Sequence, residues 1–307
     1  MKKKPLFFIL FSAVLFLLVY LVQTGIDRSY NKNVSNKFTR LFNHKIDANV
    51  MIFGSSVAYV HFDPSIIKNV TGLSAYNMGW DGTFFVQYNC LIKEYLSYEK
   101  QCKYLIIAAD IDNLGKNELI TRPDLYYSHL SNSYVYNSLH EIEPDKIWKA
   151  KYIPGYKLTL LNKAFYNDLF IGSRIHKTDT SNGYEPQNLK WDKTGTAKPF
   201  NARYEERIYT QLQETINTAV KKGIKVIIVF PPMYEEGYRL VLNMDWLKEK
   251  YKVLTNKNVY MIDYTTDTMC KNRSYFYNYG HLNTGGASIF STKIGNDINN
   301  IIATGHN

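Results

Sequence analysis

Asn49-Val50-Met51-Ile52-Phe53-Gly54-Ser55-Ser56-Val57-Ala58-Tyr59-Val60-His61-Phe62-Asp63-Pro64 decides how the rest of the 307-residue chain is read. The run 49–53 is too short for a helix and apolar enough to be a buried strand. Gly54 permits a sharp turn, which leaves Ser55 and Ser56 at the carboxyl end of that strand, the place where parallel α/β sheets bind ligands. Backbone N–H groups of the turn can there face a developing oxyanion. Asp63-Pro64 has the form of an N-cap followed by proline at the first helical position, so a helix is expected from about residue 64.

Working outward, apolar runs of similar length recur at 73–78, 103–109, 225–230 and 258–264, mostly β-branched or aromatic. Helical patterns fall between or after them at about 64–70, 84–99, 203–222, 239–256 and 286–302. Five strands alternating with helices predict an α/β fold, three layers α/β/α around a mostly parallel, flavodoxin-like sheet. Residues 111–202 break the alternation: they hold no convincing strand and are too long for an ordinary connection, so they are expected to form a helical insertion. Its eight tyrosines fit the surface of a helical cap, and stacking on sugars or a lid role are the other uses open to it.

Two distant segments change the meaning of Gly54-Ser55-Ser56. The second strand ends in Asn77-Met78-Gly79, and Asn278-Tyr279-Gly280-His281 precedes the last helix. Together the three blocks resemble the SGNH/GDSL hydrolase superfamily, most closely its membrane-anchored branch found with polysaccharide O-acetylation and teichoic acid D-alanylation systems. The resemblance covers most of residues 48–302 in order. It implies that Ser56 is the nucleophile, His281 the general base, and the backbone N–H groups of Ser56 and Gly79 the oxyanion hole. Ser55 takes the Asp position of the GDSL pattern. Two departures stand out. The family's Gly-x-Asn-Asp block after the third strand is replaced by Ala109-Asp110-Ile111-Asp112-Asn113, which leaves Asn113 as the candidate amide donor. The family's DxxH aspartate is replaced by Asn278, which orients an imidazole without charging it. In a serine protease that exchange lowers kcat about 10⁴-fold. Asp263 and Asp267, at and beyond the end of the fifth strand, are the alternative carboxylates. His61 lies five residues after Ser56 but beyond the expected turn, so no direct role is assigned to it.

The N-terminus has a membrane signature. Lys2-Lys3-Lys4 precede Pro5–Val22, an uncharged run of eighteen residues. As a helix it covers roughly 27 Å, close to the hydrocarbon thickness. The chain is therefore expected to have a cytoplasmic basic tip at 1–4, an uncleaved transmembrane signal anchor at 5–24, a polar tether at 25–45 and an SGNH-like domain at 46–302. Basic residues are retained inside, so the domain is expected on the extracytoplasmic side of the cytoplasmic membrane. No small-x-small cleavage site follows the apolar run.

Net charge +10 raises the question of nucleic acid, but three charges sit in the basic tip and the body has no Lys/Arg cluster or reading element, so no nucleic-acid partner is expected. Cys90, Cys102 and Cys270 are too few for a disulfide framework. Continuing the 84–99 helix would put Cys90 and Cys102 about 18 Å apart, against the ~7 Å limit for a bridge. Neither CxxC nor HExxH occurs, so no metal or other cofactor is expected. The leading expectation is an esterase or acyltransferase working through an acyl-serine on a cell-envelope glycan, supplied by an acyl carrier or a multi-pass membrane acyltransferase. The other is a catalytically impaired component that binds glycan or a partner.

Overall fold

The computed structural model describes residues 3–33, 36–171, 181–191 and 198–304. They fall into two compact units, one of residues 1–43 with 118–178 and the other of residues 44–117 with 179–307.

The second unit contains the sheet. Its strands are β1 (Val50–Phe53), β2 (Ala75–Asn77), β3 (Tyr104–Ala108), β4 (Lys225–Phe230) and β5 (Val259–Asp263), ordered β2-β1-β3-β4-β5. Every pairing is parallel, with Met51 opposite Tyr76 and Leu105, Ile106 opposite Ile227, and Val229 opposite Ile262. All five carboxyl ends therefore emerge along one edge.

Side chains alternate across this sheet. Val50, Ile52, Ile106, Ile227 and Val229 join a core with Phe290, Ile294 and Ile298 of the C-terminal helix Thr284–Thr304. Phe53 and Phe230 point to the other face, against Tyr95 of the helix Phe85–Tyr98 and Tyr251 of the helix Met244–Lys252. The result is the expected three-layer α/β/α arrangement.

The first unit opens with α1 (Lys3–Asn33) and α2 (Lys37–Phe42). The expected tether at 25–45 is therefore largely helical. Tyr30, Phe38 and Leu41 are fully buried and give this polar-looking stretch a core of its own: Tyr30 stacks on Phe165 at 4.3 Å and Phe38 meets Tyr126 edge-on at 5.4 Å. Pro5–Lys32 is the one segment among the described residues long and apolar enough to cross a membrane. Continuing in chain order, the helices are α3 (Ser56–His61), α4 (Pro64–Thr71), α5 (Phe85–Tyr98), α6 (Ser133–Ile142), α7 (Pro144–Tyr152), α8 (Tyr156–Leu160), α9 (Lys163–Ile171), α10 (Glu206–Lys221), α11 (Glu235–Leu240), α12 (Met244–Lys252) and α13 (Thr284–Thr304).

The expected insertion 111–202 is divided between the units. Residues 118–178 cluster with the N-terminal segments, whereas 181–191 run along the sheet: Asn182 O accepts from Asn77 N at 2.9 Å and Tyr184 enters the sheet core. Residues 172–180 and 192–197 of that insertion lie outside the described ones. The helix expected over 239–256 is also interrupted. Phe200 pairs with Val241, and the Asn243 side chain bonds both the N–H and the carbonyl of Ala202, at 2.7 and 3.0 Å.

Gly183 holds the 181–191 strip against β2. It has φ of 85°, and a Cβ there would lie 2.0 Å from the Asn77 carbonyl oxygen. Gly223 has a similar φ of 82° but open space around it. Gly223→Ala is expected to cost about 1–2 kcal/mol from backbone strain alone. Gly183→Ala should cost at least twice as much, seen as the larger fall in Tm by calorimetry of the two variants.

Candidate active site

The carboxyl end of β1 and the start of α3 build the nucleophile position. At Gly54 a Cβ would come within 2.8 Å of Ala58 Cβ and 2.9 Å of Ala108 Cβ, so only glycine lets the chain turn this close to both. Ser55 is the N-cap of α3, yet its hydroxyl makes no capping bond and donates instead to Asp110 Oδ2 at 2.5 Å. The Ser55 carbonyl accepts from Ala58 and Tyr59 N–H, both at 3.1 Å. Ser56, the first residue of α3, is partly exposed at this edge.

His281 comes from the loop before α13. Phe276 and Leu282 form an antiparallel bridge, and Tyr277 N donates to His281 O at 3.0 Å, which closes the loop. Within it Asn278 Oδ1 accepts from Gly280 N at 3.0 Å and lies 2.9 Å from His281 Nδ1. A backbone N–H only donates, so the amide atom facing it is the oxygen. Nδ1 must then carry the proton, and Nε2 is left as the acceptor for the Ser56 hydroxyl 2.7 Å away. Ser56, His281 and Asn278 thus form one hydrogen-bonded line joining residues 225 positions apart at its serine end. Burial pushes the His281 imidazolium below the usual histidine range, and the negative charges of Asp110 and Asp81 partly offset this. The ring is a neutral base at neutral pH.

The other predicted residues are placed differently. Gly79 lies against α3, where a Cβ would come 2.5 Å from Ala58 Cβ, and its N–H donates to Asn77 Oδ1 at 2.8 Å. That N–H is therefore already paired within the protein. Asn113 is buried with Nδ2 donating to Ala108 O at 3.0 Å, which commits that amide to the backbone. Asp263 is not the carboxylate behind His281. Its oxygens meet Lys248 at 2.8 Å and Thr265 at 2.7 Å; burial opposes its ionisation, but these partners hold it below the usual carboxylate range. Asp267 is bound by Lys293 at 2.6 Å. His61 is fully buried and neutral, with burial holding it well below the usual range, and its Nε2 accepts from Leu282 N at 3.0 Å. It braces the loop that carries His281.

Two residues within the quoted sequence blocks were given no role there. Asn77 is fully buried; its Nδ2 donates to Ala58 O at 2.7 Å and Phe62 O at 2.9 Å, while its oxygen takes Gly79 N–H. A polar amide ending a buried strand was the available signal, because such a group needs partners. Asp110, directly after β3, is the carboxylate that bonds Ser55 and acts on His281. Burial pushes its carboxyl above the usual range, while the Ser55 hydroxyl and the His281 imidazole pull it back. Its signal was an acid at a sheet edge where ligands bind.

No protein-family model matches the chain, and no curated protein matches its sequence. Among solved structures it is similar to one described provisionally as a platelet activating factor from Streptococcus pneumonia, with 10% identity over 94% of this chain and 98% of that chain, at a TM-score of 0.41.

The charges around the imidazole set a testable order. In ¹⁵N NMR titrations His281 should be protonated at Nδ1 when neutral and should titrate below 6.5. Asn278→Asp should move the midpoint up by adding a negative charge at Nδ1, and Asp110→Asn should move it down by removing one. A reversed order would mean that neither carboxylate position acts on the ring.

Proposed function

We propose that this chain is a membrane-anchored serine esterase or acyltransferase of the SGNH type, acting on acyl groups of cell-envelope polysaccharide. The observation that supports this best is the 2.7 Å approach of Ser56 Oγ to the unprotonated Nε2 of an imidazole whose other nitrogen is fixed by Asn278. As Oγ attacks the acyl carbonyl carbon, its proton passes to Nε2. The tetrahedral oxyanion then collapses, the ester C–O bond breaks, and Nε2–H protonates the departing oxygen. Water or a sugar hydroxyl repeats the sequence in reverse on the acyl-serine, giving hydrolysis or transfer. The Ser56 N–H, first in α3 and without an acceptor among the described residues, is the available oxyanion donor.

Val57, Asp110, Met233 and Gly280 help line a cavity of about 20 Å³ at the carboxyl edge of the sheet, a wall that Ser56 does not join. An anchor at 5–24 with the sheet unit outside the cytoplasm would hold the serine near membrane-borne donors and raise their effective concentration.

A second reading has specific support: Gly79 N–H and Asn113 Nδ2 are engaged, and the base lacks a bonded carboxylate. One lost oxyanion donor typically costs about 10²–10³ in rate. That favours an impaired enzyme retained to bind glycan or a partner in an envelope complex.

A fluorophosphonate probe separates the two. The active enzyme labels at Ser56; Ser56→Ala abolishes labelling, His281→Ala slows it by several orders of magnitude, and Asn278→Asp speeds it, by up to about 10²–10⁴ as serine-protease substitutions suggest. If neither the parent nor Asn278→Asp labels while Ser56→Ala still supports glycan modification in cells, the binding role stands. For topology, protease added outside an intact cytoplasmic membrane should digest the sheet unit, and full protection alongside a digested exported control would refute the orientation.

A further inference from the structure

We propose that the unit of residues 1–43 and 118–178 binds an anionic, hydroxyl-bearing phospholipid headgroup in the cavity beside the upper half of α1. The inference rests on the reading that α1 spans a membrane and is independent of the chemistry at Ser56.

The cavity measures about 560 Å³, within the range of small-molecule sites, and every residue lining it belongs to this unit. Tyr20, Gln23, Thr24, Asp27, Arg28 and Asn31 supply one wall. Their spacing repeats the helical period, so a single polar stripe begins where the apolar run stops. The opposite wall includes Ser128, Lys151 and Lys157.

Charge selects the ligand's sign. Lys157, buried, is paired with Asp27 Oδ2. Arg28 and Lys151 have no acidic partner among the described residues, and Lys151 Nζ instead lies 3.9 Å over the face of the Tyr136 ring, so the cavity keeps two positive charges that no carboxylate neutralises. A phosphodiester matches them.

The orphaned atoms select what the phosphate carries. Asp27 Oδ1 and Asn31 Oδ1 are buried acceptors without a donor, and the Ser128 hydroxyl, on a residue only 3% exposed, is also unpartnered. Unmet buried acceptors are costly, so they call for a ligand that donates hydrogen bonds. Hydroxyls on a phosphoglycerol-type headgroup do so.

Depth selects a lipid over a free anion. The apolar run ends at Val22, and Gln23 to Asn31 climbs about 12 Å further, from the hydrocarbon edge through the headgroup layer. Trp148 and Tyr152 on α7 are 48% and 53% exposed beside Lys149 and Lys151, the aromatic and basic pairing of a membrane interface. Below the cavity, Leu6 to Val22 leave an exposed apolar helix surface for acyl chains.

The test uses the full chain, delipidated in detergent. Native mass spectrometry and thermal unfolding are followed with phosphatidylglycerol, phosphatidylcholine or soluble glycerol 3-phosphate. Phosphatidylglycerol should bind and raise Tm, with the other two far weaker. The double variant Arg28→Gln/Lys151→Gln should lose about thirtyfold in affinity for phosphatidylglycerol while unfolding normally without lipid. Equal stabilisation by phosphatidylcholine, equal binding of glycerol 3-phosphate, or unchanged affinity in the double variant would each overturn the headgroup site. Vesicle flotation checks the premise separately: failure to float with either lipid removes the anchor, whereas flotation with both and no headgroup preference removes only this proposal.

Discussion

The candidate site depends on one buried amide. Asn77, at the end of a three-residue strand, cannot leave its side chain unpaired inside the protein, and it bonds the carbonyl of Ala58 within α3, that of Phe62 just after it, and the N–H of Gly79. Satisfying them pins a six-residue helix to the sheet, although a helix of that length has little stability of its own. Ser56 is the first residue of that helix. Its position opposite His281 is therefore a result of polar satisfaction in the core, and Gly79 is needed because any side chain would collide with the helix being pinned.

Asn278 divides two duties that an aspartate performs together. Orientation survives, since the amide oxygen is locked by Gly280 and imposes one tautomer on the imidazole. Charge does not survive at that position. It comes from Asp110 and Asp81, which act on the ring without bonding to it and so stabilise an imidazolium less than a contact carboxylate would. The ring keeps its proton-accepting geometry while its basicity is reduced by burial.

Much of the sheet was legible because short apolar runs bounded by turn residues have few alternatives, and the five observed strands lie within the five predicted runs or match them. The parts that were not legible share a cause: their stability comes from distant residues. Ser-Val-Ala-Tyr-Val-His at 56–61 has no helical signature strong enough to announce α3, which Asn77 stabilises from another element. Residues 25–45 look polar because the aromatics that bury Phe38 and Tyr30, Tyr126 and Phe165, lie about a hundred residues away in sequence. The partition of 111–202 between two units follows from Gly183, whose missing side chain admits the Asn77 carbonyl. Ser56, His281 and Asn278 were recognisable because three sequence blocks read together resemble a known hydrolase pattern, whereas Asp110, an acid at the same sheet edge, gained a role only through its contact with Ser55.

The continuity of α1 has a mechanical consequence. The helix runs 31 residues without a break from the apolar segment into a folded unit, so no flexible joint separates its apolar part from the part that protein surrounds. A rod of this kind transmits angle. Membranes of different thickness tilt a spanning helix to different degrees, on average about 20° from the normal. Each degree of tilt must be shared by Gln23, Asp27 and Tyr30 and by the residues they hold, Gly155, Lys157 and Phe165. With the apolar segment in a bilayer, its thickness would be a variable that this unit senses, as a lever arm senses the angle of its fulcrum.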